Sequence, residues 1–67
     1  MTDSELSKVL YLCDLITLKT NALKEKLAYH QDSKDGETNL ILSLYCRELL
    51  ILSRQIESIN EVSKQSK

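Results

Sequence analysis

The segment Asp32-Ser33-Lys34-Asp35-Gly36 decides the fold, because it separates two long stretches in which apolar residues recur every three or four positions. These residue types favour turns, and Gly36 is the only glycine in a chain of 67 residues that has no proline. A chain this short forms one domain, and a single break divides it into two elements. We therefore expect a turn over residues 32–36 within one domain over residues 1–67.

Both flanking stretches have the periodicity of α-helices. The first begins with Thr2-Asp3-Ser4-Glu5, where the side chains of Thr2 and Glu5 can each accept a hydrogen bond from the other's backbone N–H group, an arrangement called a capping box. We expect helix 1 over residues 3–31, helix 2 over residues 37–62 and a frayed tail over residues 63–67. The apolar run over residues 40–52 could form a strand, but it is rich in Leu and lacks strand-like alternation.

An apolar seam follows each predicted helix at the spacing that places residues on one face. The seam of helix 1 consists of Leu6, Val9, Cys13, Ile16, Thr20, Leu23, Leu27 and His30. The seam of helix 2 consists of Leu42, Tyr45, Leu49, Leu52, Ile56 and Ile59. Because a short loop joins the helices, they should pack antiparallel along these seams. The predicted fold class is all-α, an antiparallel two-helix hairpin.

Each helix also has a second stripe of apolar residues, which lies well away from its seam at about 100° of rotation per residue. The second stripes consist of Tyr11, Leu15, Leu18, Ala22 and Tyr29 on helix 1, and of Leu40, Leu44 and Ile51 on helix 2. One hairpin buries one stripe per helix, so the second stripes are predicted to bind a partner protein.

The heights of the second stripes suggest that this partner is another copy of the chain. On helix 1 the stripe is centred far from the loop, and on helix 2 it is centred nearer to the loop. Two hairpins with their loops at opposite ends would bring the stripes level. We therefore predict an antiparallel homodimer that forms a four-helix bundle; the alternative is a groove in a different protein that takes helix 1 as an amphipathic ligand.

Composition argues against several classes of partner. Nine Lys and Arg face ten Asp and Glu, without the basic cluster that nucleic-acid binding needs. No uncharged stretch approaches the roughly 18 residues of a membrane span. We therefore expect no nucleic acid, no membrane and no small-molecule substrate among the partners.

Few residues could carry chemistry. Cys13 lies on the seam, where burial would make its thiol inert, and Cys46 lies at the seam's edge and is the better candidate for a reactive thiol. His30 is interpreted as a solvated histidine at the negative end of helix 1. Two cysteines and one histidine do not supply the four ligands of a zinc site. We predict no catalytic residue, metal or cofactor, and interpret the cysteines as reduced thiols of a cytoplasmic protein.

The size, the two long helices, the turn at Gly36 and spacing such as Leu52, Ile56 and Ile59 resemble the small helical-hairpin co-chaperones of type III secretion needle proteins. The resemblance covers most of the chain. It implies a hairpin that helps a larger helical-repeat chaperone to keep an aggregation-prone needle subunit soluble.

The stretch Cys46-Arg47-Glu48-Leu49-Leu50 resembles the Ser-Gln-Glu-Leu-Asp motif of the small aspartyl-phosphate phosphatases of the sporulation phosphorelay. Glu48 and Leu49 agree with the motif, but Leu50 replaces the acidic residue that such a regulator inserts into its target's active site. We predict a non-enzymatic protein-binding module, a regulator or co-chaperone that acts through an apolar helix face. The alternative that the second resemblance implies is a regulator of a phosphorelay response regulator.

Overall fold

Two α-helices make up nearly all of the residues that the computed structural model describes, which are residues 1–29 and 36–65. Helix α1 spans Asp3–Tyr29 and helix α2 spans Glu37–Gln65. They pack against each other as a helical hairpin whose Cα atoms extend over 53 × 16 × 9 Å, which confirms the all-α class. His30 and residues 31–35 of the predicted helix end and turn lie outside the described residues, as do residues 66–67.

The start of α1 is held by the capping box that the sequence predicts. The Thr2 backbone N–H donates to Glu5 Oε1 at 2.8 Å, and the Glu5 backbone N–H donates to Thr2 Oγ1 at 3.1 Å. These bonds satisfy donors that the first helical turn would leave open. The hydrogen bond from the Thr2 backbone, followed by the one from its side chain, lowers the pKa of the Glu5 carboxyl group below its ordinary value.

Helix α2 continues to Gln65, beyond the end predicted at residue 62. It begins after Gly36, whose carbonyl oxygen accepts a hydrogen bond from the Leu40 backbone N–H at 3.1 Å. At its other end Lys64 Nζ lies 3.9 Å from Glu61 Oε1, and the positive charge of Lys64 in the last turn suits the helix dipole. Residues 63–65 of the predicted frayed tail are therefore helical.

Two contacts between side chains define the register of the hairpin. Thr20 Oγ1 lies 2.7 Å from Tyr45 Oη, and Lys19 Nζ lies 2.5 Å from Glu48 Oε2. The helices are antiparallel, so a residue n of α1 lies near the height of residue 65 − n of α2.

The core between the two helices is thin. Leu12 and Leu52, each 7% exposed, are the only apolar side chains of the described residues that are buried. Several others are half-buried along the line of contact: Val9, Leu15, Ile16, Leu23, Leu27, Ile41, Tyr45, Ile56 and Ile59. A single core in a chain of this size contributes at most roughly 3–5 kcal/mol to the free energy of unfolding, and this core is smaller than most.

The predicted seam of α1 is wrong at one position. Leu12, which the seam omits, is buried, whereas Cys13, which the seam places in the core, is exposed. Two helices alone touch along a narrow line. Leu12 lies on this line, three residues after Val9 and four before Ile16, and Cys13 is turned about 100° away from Leu12.

Three other leucines of the predicted seams are more exposed than core residues. Leu6 is 48% exposed, Leu42 is 38% exposed and Leu49 is 36% exposed. The rest of both seams within the described residues is half-buried or buried, as predicted. The hairpin therefore buries part of its seams and leaves one flank of them open.

Candidate functional site

Two shallow grooves run between the helices on one broad face of the hairpin, which we call the groove face. Lys19 and Lys26 line the first groove, and Lys8 lines the second. These lysines are separated by whole numbers of helical turns, so both grooves open on the same side. The other lining residues are Ala22, Leu23, Ile41, Leu44, Tyr45 and Glu48 in the first groove, and Tyr11, Leu12, Gln55, Ser58 and Ile59 in the second.

Three of the eight residues of the second stripes line the grooves. Tyr11 lines the second groove and is 63% exposed, and Ala22 and Leu44 line the first groove together. Exposed members of the same stripes are Leu18, Tyr29, Leu40 and Ile51. The structure thus leaves open most of the surface that the sequence predicts to bind a partner.

Leu15 departs from the prediction, because it is half-buried and not exposed. It follows Leu12 by one turn and leans toward the contact with α2, so it supports the core as well as the edge of the groove face. Leu15 is therefore a poor choice for a substitution that is meant to test the surface alone.

The second stripes lie at the same height, and the predicted difference in height is wrong. The pairing of Thr20 with Tyr45 places Ala22 level with Leu44, and these two residues line the same groove. The reason for placing the loops of two hairpins at opposite ends therefore disappears. The stripes of both helices therefore lie on either side of the same grooves of a single hairpin, with the Lys19–Glu48 ion pair between them.

Positively charged side chains line the grooves between the two apolar stripes. The grooves are lined by three lysines and one acidic residue: Lys8, Lys19, Lys26 and Glu48. Lys19 and Glu48 form an ion pair across the first groove, with side chains that are 42% and 53% exposed. The pair leaves Lys8 and Lys26 as two further positive charges along the groove face. The ion pair also engages the Glu48 carboxylate through which the phosphatase resemblance implies activity.

The groups that could carry chemistry are dispersed. Cys13 and Cys46 are both free and exposed, so Cys13 is not the buried thiol that its seam position predicts. Within residues 1–29 and 36–65, no group of three or more His, Cys, Asp and Glu side chains could hold a metal ion. Over the same residues, neither helix combines the length and the apolar character needed to cross a membrane.

Several exposed apolar residues lie outside both the seams and the second stripes. Leu10 is 57% exposed, Leu50 is 50% exposed and Val62 is 54% exposed. Leu10 lies one turn after Leu6 and about 100° around α1 from Tyr11, and its spacing from Leu6 was a signal for a third apolar stripe.

Comparisons with protein-family models, with curated proteins and with solved structures find no match for this chain. The resemblances to secretion co-chaperones and to phosphorelay phosphatases therefore stay predictions. The geometry of the hairpin alone carries the functional argument.

Proposed function

We propose that this hairpin is a non-enzymatic protein-binding module, a regulator or co-chaperone, whose groove face receives an amphipathic helix with acidic flanks from a partner protein. The observation that carries the proposal is the exposed apolar surface on both sides of the first groove, where Ala22 and the 50% exposed Leu44 lie at the same height in a groove that Lys19 and Lys26 also line. Exposed apolar surface of this kind is typical of binding sites in small soluble proteins.

The shape of the groove face suits a third helix. Two antiparallel helices leave a furrow between them, and the Ala22 side chain is small enough for a close approach beside Leu44. A partner helix with apolar residues at positions i, i+3, i+4 and i+7 would place its stripe in this furrow. Binding would cover exposed leucines and add apolar contacts above the thin core around Leu12 and Leu52.

The charges of the groove face select the partner. Lys8 and Lys26 lie on the α1 side of the furrow, and Lys19 is paired with Glu48. Acidic residues along the flank of a bound helix would meet these lysines, whereas basic residues would be repelled. Complementary charge raises the rate of association and discriminates between partners more than it raises the final affinity.

Covering an apolar helix of a partner is what a co-chaperone or a small regulator would do. A helix with an exposed apolar stripe aggregates when it is free, and a hairpin that covers the stripe keeps the partner soluble. The same contact would hide a functional helix from a competing partner, which is how a small regulator acts.

Two fluorescently labelled peptides of about 20 residues, long enough for a helix of about 30 Å, test the proposal. Both carry the same leucine stripe, one with glutamate flanks and the other with lysine flanks, and binding is followed by fluorescence anisotropy. We expect the acidic peptide to bind at least about tenfold more tightly at low salt, with a difference that shrinks as salt screens the lysines.

Matched leucine substitutions locate the binding surface. Leu18→Glu and Leu44→Glu should weaken binding of the acidic peptide, while Leu6→Glu, about 160° around α1 from Ala22, should leave it unchanged. Circular dichroism shows whether each variant keeps its helix content. Equal affinity for the two peptides at low salt, or full affinity of both groove-face variants, would contradict the proposal.

A further inference from the structure

We infer that the face opposite the groove face binds a second copy of this chain, so that two hairpins form a four-helix bundle through it. This inference uses a different surface from the proposed function and does not depend on it. The surface, which we call the uncharged face, consists of Leu6, Cys13, Leu42, Cys46 and Leu49, all exposed in the single hairpin.

Helix geometry places these residues on one side. At about 100° per residue, Leu6 and Cys13 flank the contact line of α1 on the side away from Tyr11 and Ala22. Tyr11 and Ala22 line grooves.

The same geometry applies to α2. Leu42, Cys46 and Leu49 flank its contact line on the side away from Leu44, which lines the first groove with Ala22. Because one flank of each helix belongs to the groove face, the remaining flanks share the opposite face.

The absence of charge on this face favours a copy of the chain as its partner. Between residues 6 and 20 of α1 and between residues 42 and 53 of α2, the side chains that point to this face are Leu, Cys, Thr and Ser. In a twofold dimer each surface meets its own copy, so charges of the same sign would be brought together. The groove face would bring Lys8, Lys19 and Lys26 of both copies together. Over residues 6–20 and 42–53 the uncharged face opposes no like charges, and its charged residues, Lys24 and Glu57, lie beyond these ranges.

The register of the hairpin aligns the two seams layer by layer. Since Thr20 faces Tyr45, Leu6 lies level with Ile59, Cys13 with Leu52, and Ile16 with Leu49. Each layer therefore contains one seam residue from each helix, and a second hairpin would add two more. In a four-helix bundle the seam of each helix points between its two neighbours, toward the bundle centre.

A four-helix bundle explains why several seam residues are exposed in the single hairpin. The seams are turned from the contact line of the single hairpin toward the uncharged face, which is why Leu6, Cys13, Leu42 and Leu49 stay open. Packing of a second copy against this face would bury the residues that the single hairpin leaves exposed.

A dimer through this face would enlarge the apolar core of the hairpin. The uncharged stretch of α1 from residue 6 to residue 20 is about 21 Å long, within a hairpin whose Cα atoms extend over 53 Å. A core in which Leu12 and Leu52 are the buried apolar side chains of the described residues gains the most from such an addition.

Sedimentation equilibrium tests the inference. The unmodified chain of 7.7 kDa should sediment with twice this mass. Leu6→Glu and Leu49→Glu should each raise the dissociation constant of the dimer at least about tenfold, and the matched control Leu18→Glu on the groove face should not change it. A monomer at millimolar concentration would overturn the inference, and so would a dimer that only Leu18→Glu dissociates.

Thiol alkylation of the unmodified sequence gives a second test, which does not require a variant to fold. Dimerisation should bury Cys13 and Cys46, so iodoacetamide should modify both at least about tenfold more slowly at concentrations where the dimer is formed than in denaturant. Dilution should restore the fast rate. A dimeric sample in which both thiols react at the rate of the unfolded chain would show that another face forms the dimer. Peptide binding and dimer mass are measured separately, so failure of one proposal is distinguishable from failure of the other.

Discussion

The hydroxyl groups of Thr20 and Tyr45 lie 2.7 Å apart and join α1 to α2 by a hydrogen bond between polar side chains in an otherwise apolar seam. Both residues are half-buried. Apolar side chains can still pack when one helix shifts along the other. A paired hydroxyl loses its hydrogen bond in such a shift, so the pair opposes it. This contact therefore defines the heights at which all other residues of the two helices meet.

Tyr45→Phe should lower the free energy of unfolding by about 1 kcal/mol, because it leaves the Thr20 hydroxyl without its partner. Thr20→Val should have an effect of similar size, and the double variant should lose less than the two single variants together. Urea denaturation followed by circular dichroism, at one protein concentration, measures all three changes. Additive losses would mean that the two hydroxyl groups are not coupled.

The capping box predicts a dependence on pH at the start of α1. Hydrogen bonds from Thr2 lower the pKa of Glu5 in the folded chain, so its contribution is present above the pKa of the unfolded chain and is lost as pH falls through the lowered folded value. The Glu5 carboxyl resonance in NMR should titrate with a midpoint below 4.5. Glu5→Gln, which keeps the hydrogen bonds without a titrating group, should remove the acid-dependent change at the Thr2 amide; a persistent change would assign it to another residue.

Leu12→Ala should cost about 2 kcal/mol or more, because it removes one of the two buried leucines of the described residues. Much of the helical signal should disappear with it, since the core is thin. Leu18→Ala is the matched control: Leu18 is 65% exposed on the groove face, and its truncation should change stability by less than about 0.5 kcal/mol. Urea denaturation compares the two, and similar losses would contradict the placement of Leu12 in the core.

Glu48→Ala should change the free energy of unfolding by less than about 1 kcal/mol despite the close contact with Lys19, because both side chains are largely exposed and water screens their attraction. The same denaturation experiment with Lys19→Ala supplies the control, and raising the salt concentration should reduce both effects. A loss that exceeds that of Tyr45→Phe would show that the ion pair, and not the hydroxyl contact, defines the register.

The elements of this fold follow from signals between neighbours in the sequence. The capping box of Thr2 and Glu5 and the start of α2 after Gly36 are both found where local chemistry predicts them. Such signals act within one or two helical turns, so no knowledge of distant contacts is needed. Helical spacing alone also predicts the half-buried seam residues. These include Ile16, Leu23 and Leu27 in α1 and Tyr45, Ile56 and Ile59 in α2.

The rotation of each helix and the height of one against the other were decided only by packing. The spacing of three or four residues is satisfied by Cys13 as well as by Leu12, and only contact with α2 selects Leu12 for the core. The shared height of Ala22 and Leu44 likewise depends on the contact between Thr20 and Tyr45, twenty-five residues apart in the chain. The sequence by itself determined two amphipathic helices with surplus apolar surface, because helix formation is local. Only the tertiary structure divided this surface into a lysine-lined face and an uncharged face, because a face exists only once two helices have met.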